Sequence, residues 1–169
     1  KIVELKSGSP SAATISVEVT NQFLAARETA ALMRLPSYYI RLYQAWTSPK
    51  GLVYTKALIR RGNSTLIECR VKHVSVDHSH EYGLPGKTYF KCPQKEILSV
   101  VDRAWERIVM KDPAVKKAVE GGRIKYEMKL GSGTDHIGTG GEQWIQIIVE
   151  GEYENLLVSA YPIPVPSIP

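Results

Sequence analysis

Cysteine is scarce in this chain of 169 residues, and the two present, Cys69 and Cys92, build no framework. Two thiols make neither a disulfide-stapled scaffold nor the four-ligand cage of structural zinc, so both are expected as ordinary thiols. Long apolar runs are missing as well. None approaches the roughly 20 residues that a membrane helix needs, and no secretory leader is expected at the start, so no stable membrane insertion is expected. The opening Lys1 in place of Met suggests a portion of something longer. Acidic charge is outnumbered: 22 Lys and Arg against 17 Asp and Glu leave a formal net charge of +5. That sign favours an acidic partner, of which nucleic acid is the commonest. The hydrophobic share of 43% is that of a globular chain and argues against disorder.

Two segments invite a metal or phosphate reading and lack what either needs. The run DHSH places Asp77, His78 and His80 within four residues, but zinc wants about four ligands and the cysteines lie far off in sequence. The run GSGTDHIGTGG has the composition of a phosphate loop without the GxxxxGK[ST] spacing, and reads as a flexible connection between strands. No metal and no cofactor is called for.

Periodicity supplies the fold class. Residues 1–16 read as a lead-in. Phe23, Ala26, Ala30 and Met33 predict a helix that Pro36 stops, and Tyr39, Leu42, Tyr43 and Trp46 predict a second, followed by a turn at Ser48, Pro49 and Gly51. Residues 1–50 are therefore expected as a helical lead-in or subdomain, and 51–169 as an α+β domain. Within the latter, LVYTKALIRR and STLIECRVKHVSV predict a hairpin, with a helix ending at Gly62 as the alternative for the first arm. In its second arm Leu66, Glu68, Arg70 and Lys72 alternate with Ile67, Cys69 and Val71. After Pro93, Ile97, Val101, Trp105 and Ile108 predict a helix, broken or kinked at Pro113, with a second piece closed by Gly121 and Gly122. Three strands follow, RIKYEMKL, EQWIQIIVE and ENLLVSAYPI, the last two joined around Gly151 and Glu152. The expected class is α+β, with N-terminal helices beside a twisted, mainly antiparallel sheet.

On the last strand Ser159 and Tyr161 share a face, because strand side chains repeat every two residues. A Ser–His–Asp hydrolase wants its serine at a strained turn, which a mid-strand Ser159 does not offer. Acid–base cleavage of RNA asks for something else: the 2′-hydroxyl is the nucleophile, so the protein supplies a general base, a general acid and cations. His73, His78, His80 and His136 are the histidines available. Arg70, Lys72 and Lys87 are the candidate cations and Tyr89 a candidate stacking ring.

The runs KTYFKCPQKEILSVVDRAWERI, GGRIKYEMKL and GGEQWIQIIVEGEYENLLVSAYPIP together resemble the ribonuclease toxins of the barnase/EndoU/colicin/RelE fold. The nearest likeness is to the RNase A-like and EndoU-like toxin domains at the C-termini of contact-dependent growth inhibition proteins. The resemblance covers roughly residues 86–164 and rests on element order and on a terminal [ST]-A-[YF]-P motif, here Ser159-Ala160-Tyr161-Pro162. It implies a metal-independent endoribonuclease, often a tRNase, delivered from the producer cell surface or secreted. Such a protein acts in the target-cell cytoplasm and is neutralised by a cognate immunity protein, expected to be acidic and to bind 1:1. It also places Ser159 and Tyr161 near the scissile phosphate or the flanking base. Those families carry a GH-type motif before the "TF" element, and none stands here. The preferred bases are therefore His78 and His80, in a loop, over His73, which continues a strand alternation, and His136. The alternative is a non-catalytic RNA-binding or protein-interaction module, with Tyr89, Tyr126 and Trp144 stacking bases.

Overall fold

A computed structural model describes residues 45–61, 63–152 and 154–169. The first expected helix and nearly all of the second lie outside these residues. Trp46, expected at the end of the second, instead opens a short strand, β1 (Trp46–Thr47), antiparallel to β2 (Val53–Tyr54). The expected turn lies between them: Ser48 Oγ accepts the Leu52 N–H at 2.9 Å. β3 (Lys56–Arg61) and β4 (Ser64–Cys69) form the expected hairpin.

The second arm of that hairpin ends sooner than its alternation suggests. At Arg70 the chain turns helical, as a single α-turn (Arg70–Lys72) that widens into a π-turn (His73–Asp77); the two together are α1. The reason is burial. Val71 and Val74 are both fully buried; as strand residues they would face opposite ways, whereas three apart on a helix they face the same way. Ser75 contributes to the widening, because its Oγ–H donates to the Val71 carbonyl at 2.6 Å and competes for the i−4 acceptor of the helix.

A 3₁₀ turn (Gln94–Glu96) leads into α2 (Ile97–Val109), whose buried residues Ile97, Val101 and Trp105 are those the spacing selects. The expected second helical piece is instead a strand, β5 (Lys116–Glu120), antiparallel to β6 (Arg123–Lys129). Gly121 and Gly122 form the two-residue turn between Glu120 and Arg123, with φ of 59° and 75°. Positive φ at both centres is the turn that matches strand twist, and glycine takes it without strain. β7 (Trp144–Glu150) and β8 (Leu157–Ile163) complete an antiparallel sheet in the order β5-β6-β7-β8. The protein is α+β, and its described helices lie within the 51–169 segment rather than ahead of it.

Pairing registers give the sheet two unlike faces. Ile124, Tyr126 and Met128 of β6, Ile145, Ile147 and Val149 of β7, and Ala160 of β8 are buried against α2, with the Trp105 and Tyr126 rings edge to face at 6.2 Å. Each large aliphatic side chain buried there contributes about 1.5–3 kcal/mol, which makes this face the main anchor of the fold. The opposite face carries Glu127, Gln146 and Tyr161 in one row and Lys125, Ile148 and Ser159 in the next. β8 is the edge strand of this sheet, where Pro162 costs no ladder hydrogen bond. After Ile163 the chain folds back over the polar face, and Ser167 and Ile168 hydrogen-bond to Glu127. Among the described residues no helix is long and apolar enough to cross a membrane, and Cys69 and Cys92 are not joined in a disulfide.

Candidate functional site

The site lies where α1 meets β8. Because Val71 and Val74 fill the core, His73 and Asp77 are turned toward the polar face of the sheet. Four residues apart, they meet: His73 Nδ1 is 3.1 Å from Asp77 Oδ2. The other ring nitrogen reaches across the fold, with Nε2 2.9 Å from Ser159 Oγ. With Nδ1–H donated to the carboxylate, Nε2 of the neutral ring holds a lone pair and Ser159 donates to it. β8 aims its serine by a local irregularity. Ile148 pairs with Ser159 and Val149 with Leu157, so Val158 is an extra residue, a β-bulge immediately before Ser159.

His78 lies beside this line. Its ring stacks on Tyr161, with centroids 5.2 Å apart and planes 14° from parallel, and meets His73 edge to face at 5.3 Å. Its Nδ1–H donates to the Thr88 carbonyl at 2.9 Å, while the buried Nε2 has no hydrogen-bond partner among the described residues. Burial pushes the imidazole pKa down to about 4. The Thr88 contact pulls it up, and the neighbouring His73 and Lys87 push it further down. His78 is therefore neutral near pH 7. The loop holding it is tied at both ends. Phe90 N–H donates to the His78 carbonyl at 2.8 Å, and Thr88 Oγ1–H to the Pro162 carbonyl at 2.6 Å. Gly83 has no room for a side chain, since a Cβ there would strike the Ser79 carbonyl and the Tyr89 ring.

Of the residues singled out from sequence, the fold brings Ser159, Tyr161 and His78 together. His80 is exposed and donates its Nδ1–H to the Phe90 carbonyl at 3.0 Å. Lys72 lies at the site, 3.7 Å from Asp77 Oδ1. Lys87 is close enough to act electrostatically on His78, as Lys125 is on Tyr161. Arg70 is half-buried at the start of α1. Tyr89 donates its hydroxyl to the Leu84 carbonyl at 2.5 Å, and His136 sits in the β6–β7 connection with Nδ1 on the Thr134 carbonyl at 3.2 Å. The strand reading of 70–76 set aside His73, and it overlooked Asp77 except as a metal ligand. A His-x-x-x-Asp spacing beside buried valines three apart was the available signal. Among the described residues no cluster of three or more His, Cys, Asp or Glu is placed to hold a metal ion.

No family model, no curated protein and no solved structure matches the chain.

Proposed function

We propose that this site cleaves RNA, without a metal ion, by attack of the 2′-hydroxyl on the adjacent phosphorus. The observation that carries the reading is His73, one nitrogen on Asp77 and the other on Ser159, inside a rim of lysines. His73 Nε2 takes the 2′-hydroxyl proton, the 2′-oxygen bonds to phosphorus, and the P–O5′ bond breaks as the 5′-oxygen takes a proton from a solvent water. The products are a 2′,3′-cyclic phosphate and a 5′-hydroxyl. Asp77 holds the ring orientation and supports the imidazolium. Substrate displaces the Ser159 hydroxyl from Nε2, freeing it to donate to a phosphate oxygen. Lys72, Lys87 and Lys125 supply the charge that draws RNA in. The substrate proposed from the toxin resemblance is tRNA in a competing bacterium.

The test is incubation with total tRNA in the presence of EDTA. Discrete fragments ending in 2′,3′-cyclic phosphate support the reading, whereas retarded but intact RNA supports a binding module. Ser159→Ala is expected to lower kcat/KM by about 10–100-fold with an unchanged melting temperature, as for loss of one oriented donor to a developing charge. Wild-type rates in that variant would make Ser159 a bystander.

A second reading has one observation in its favour: Asp77, His73 and Ser159 stand in the order of an acyl-transfer triad. Ser159 is paired in the middle of a strand, not set at the strained turn that presents an acyl-transfer nucleophile to its substrate. Covalent labelling of Ser159 by a sulfonyl fluoride, with no RNA cleavage, would favour this second reading.

We also propose an acidic immunity protein that binds 1:1 over the same cations. Its association rate is expected to fall steeply as salt rises, since steering between opposite charges is screened. Stopped-flow association at several ionic strengths measures this, and a flat dependence would remove the electrostatic claim.

A further inference from the structure

Beside the His73 line runs a chain of hydrogen bonds whose direction is set by its buried end. Glu127 is fully buried and accepts from Ser167 N at 2.8 Å, Ile168 N at 3.0 Å, Ser167 Oγ at 2.5 Å and Gln146 Nε2 at 2.7 Å. Burial pushes its carboxyl up, but these four donors outweigh burial and leave it below the usual carboxylate range. A carboxylate only accepts, so Gln146 must turn its amide nitrogen to Glu127 and its carbonyl oxygen to Tyr161. That carbonyl also only accepts, so the Tyr161 hydroxyl must donate to it, at 2.5 Å. Reversing the chain would require a proton on Glu127 or a carbonyl set against a carboxylate. Gln146 is 6% exposed, so a mispaired amide there would be costly.

A phenol has one hydroxyl hydrogen. Here it is committed inward, so the oxygen of half-buried Tyr161 offers only lone pairs to a ligand. The non-bridging oxygens of a phosphodiester, and those of the phosphorane formed from it, are acceptors too. Tyr161 therefore has nothing to give them. Base edges differ: each natural base carries N–H donors. Lys125, the cation that acts electrostatically on Tyr161, has its ammonium on Glu120 at 2.5 Å.

We infer that Tyr161 is a base-reading residue, whose oxygen accepts a hydrogen bond from an N–H group of the nucleobase beside the cleaved phosphodiester. Glu127 and Gln146 are the positioning residues that fix this polarity. The inference rests on the ribonuclease reading and narrows it, assigning Tyr161 to the base and leaving the phosphate to Ser159, His73 and the lysines.

The test uses DNA oligonucleotides carrying a single ribonucleotide, cleavable at one place only. Adenosine is compared with purine riboside, and cytidine with the 2-pyrimidinone riboside, pairs that differ by one amino group. For whichever base is cut, deleting the amino group is expected to lower wild-type kcat/KM by about tenfold. Tyr161→Phe is expected to cut both members of the pair alike, near the wild-type rate on the amino-less substrate. Glu127→Gln, which lets Gln146 turn and frees the phenol hydrogen, is expected to reduce the discrimination to below twofold with the Tyr161 ring in place. Circular dichroism and melting temperature verify folding of both variants, since Tyr161→Phe leaves the Gln146 carbonyl without its donor. An equal loss on both substrates in Tyr161→Phe, with discrimination retained, overturns the inference. If the wild-type protein cuts no oligonucleotide of this set, the ribonuclease reading falls only where total tRNA also stays intact. The base contact is then judged by NMR titration with 5′-AMP and purine riboside 5′-monophosphate. It stands if AMP binds about tenfold tighter to wild type and equally to Tyr161→Phe, and it falls with any other result, including no binding.

Discussion

His73→Gln is expected to lower kcat/KM for RNA cleavage by about 10²–10⁴-fold, the range associated with removing a positioned proton-transfer group. Glutamine reaches Ser159 and Asp77 by hydrogen bonds, so the fold and KM are expected to change little and the loss to fall on kcat. Asp77→Asn is expected to cost less, because the ring remains and only its orientation and the support for its protonated form weaken. The two variants together separate roles: a group that moves the proton is needed at every pH, whereas a group that supports the imidazolium alters the pH profile. Rapid-quench kinetics on a single-site substrate across pH 5–9 measure both. More than a tenth of wild-type kcat in His73→Gln would move the chemistry to another group, with His78 the nearest.

Acidification from pH 6.5 to 4 is expected to remove up to about 3 kcal/mol of stability through His78 alone. Its folded pKa is about 4 against an ordinary 6.5, burial being the main cause, and each unit of difference is worth about 1.4 kcal/mol. The sign follows from proton uptake. Below pH 6.5 the unfolded chain protonates at His78 while the folded chain does not, so stability falls until the folded ring also titrates; above 6.5 the contribution is constant. Asp112 and Glu127, both held below the ordinary carboxylate range, give up stability only at lower pH. The window from 6.5 to 5 is therefore free of them. His78→Phe keeps a ring on Tyr161 and cannot titrate. It is expected to be less stable than wild type at pH 7, since the Thr88 carbonyl loses its donor, and to have a flatter stability curve between pH 5 and 6.5. Urea midpoints at half-unit pH steps provide the measurement, and equal slopes in the two proteins would sink the assignment. Acidification also bears on function: a charged His78 would stand 5.3 Å from the His73 ring and disfavour its protonation.

The fold was most legible where periodicity was long and unbroken. β6, β7, β8 and α2 stand where their patterns put them, because each buries one continuous apolar face. Reading failed at two short segments where a local pattern competed with tertiary burial. Residues 70–76 alternate like a strand, yet only a helix lets Val71 and Val74 enter one core. Residues 114–120 hold helix formers, yet a pair of glycines able to take positive φ makes them one arm of a hairpin. The first failure carried over into the site, since a histidine assigned to a strand could not be seen meeting an aspartate four residues on. Ser159, Tyr161 and His78 were visible as residue types in plausible places. Gln146 and Glu127 were not, because their roles depend on a cross-strand register and a returning chain end that no local spacing encodes.

The distance along the chain between the meeting parts has a kinetic consequence. His73 and Ser159 are 86 residues apart, and Glu127 meets Ser167 across 40. Contacts this non-local form only after long loops have closed, which places the protein toward the slow, high-contact-order end of folding. A nascent chain exposes α1 and β6 well before β8 and the segment that satisfies Glu127 have been made. Every partial chain, whether still on a ribosome or released by a nick before residue 159, therefore lacks the His73–Ser159 pair.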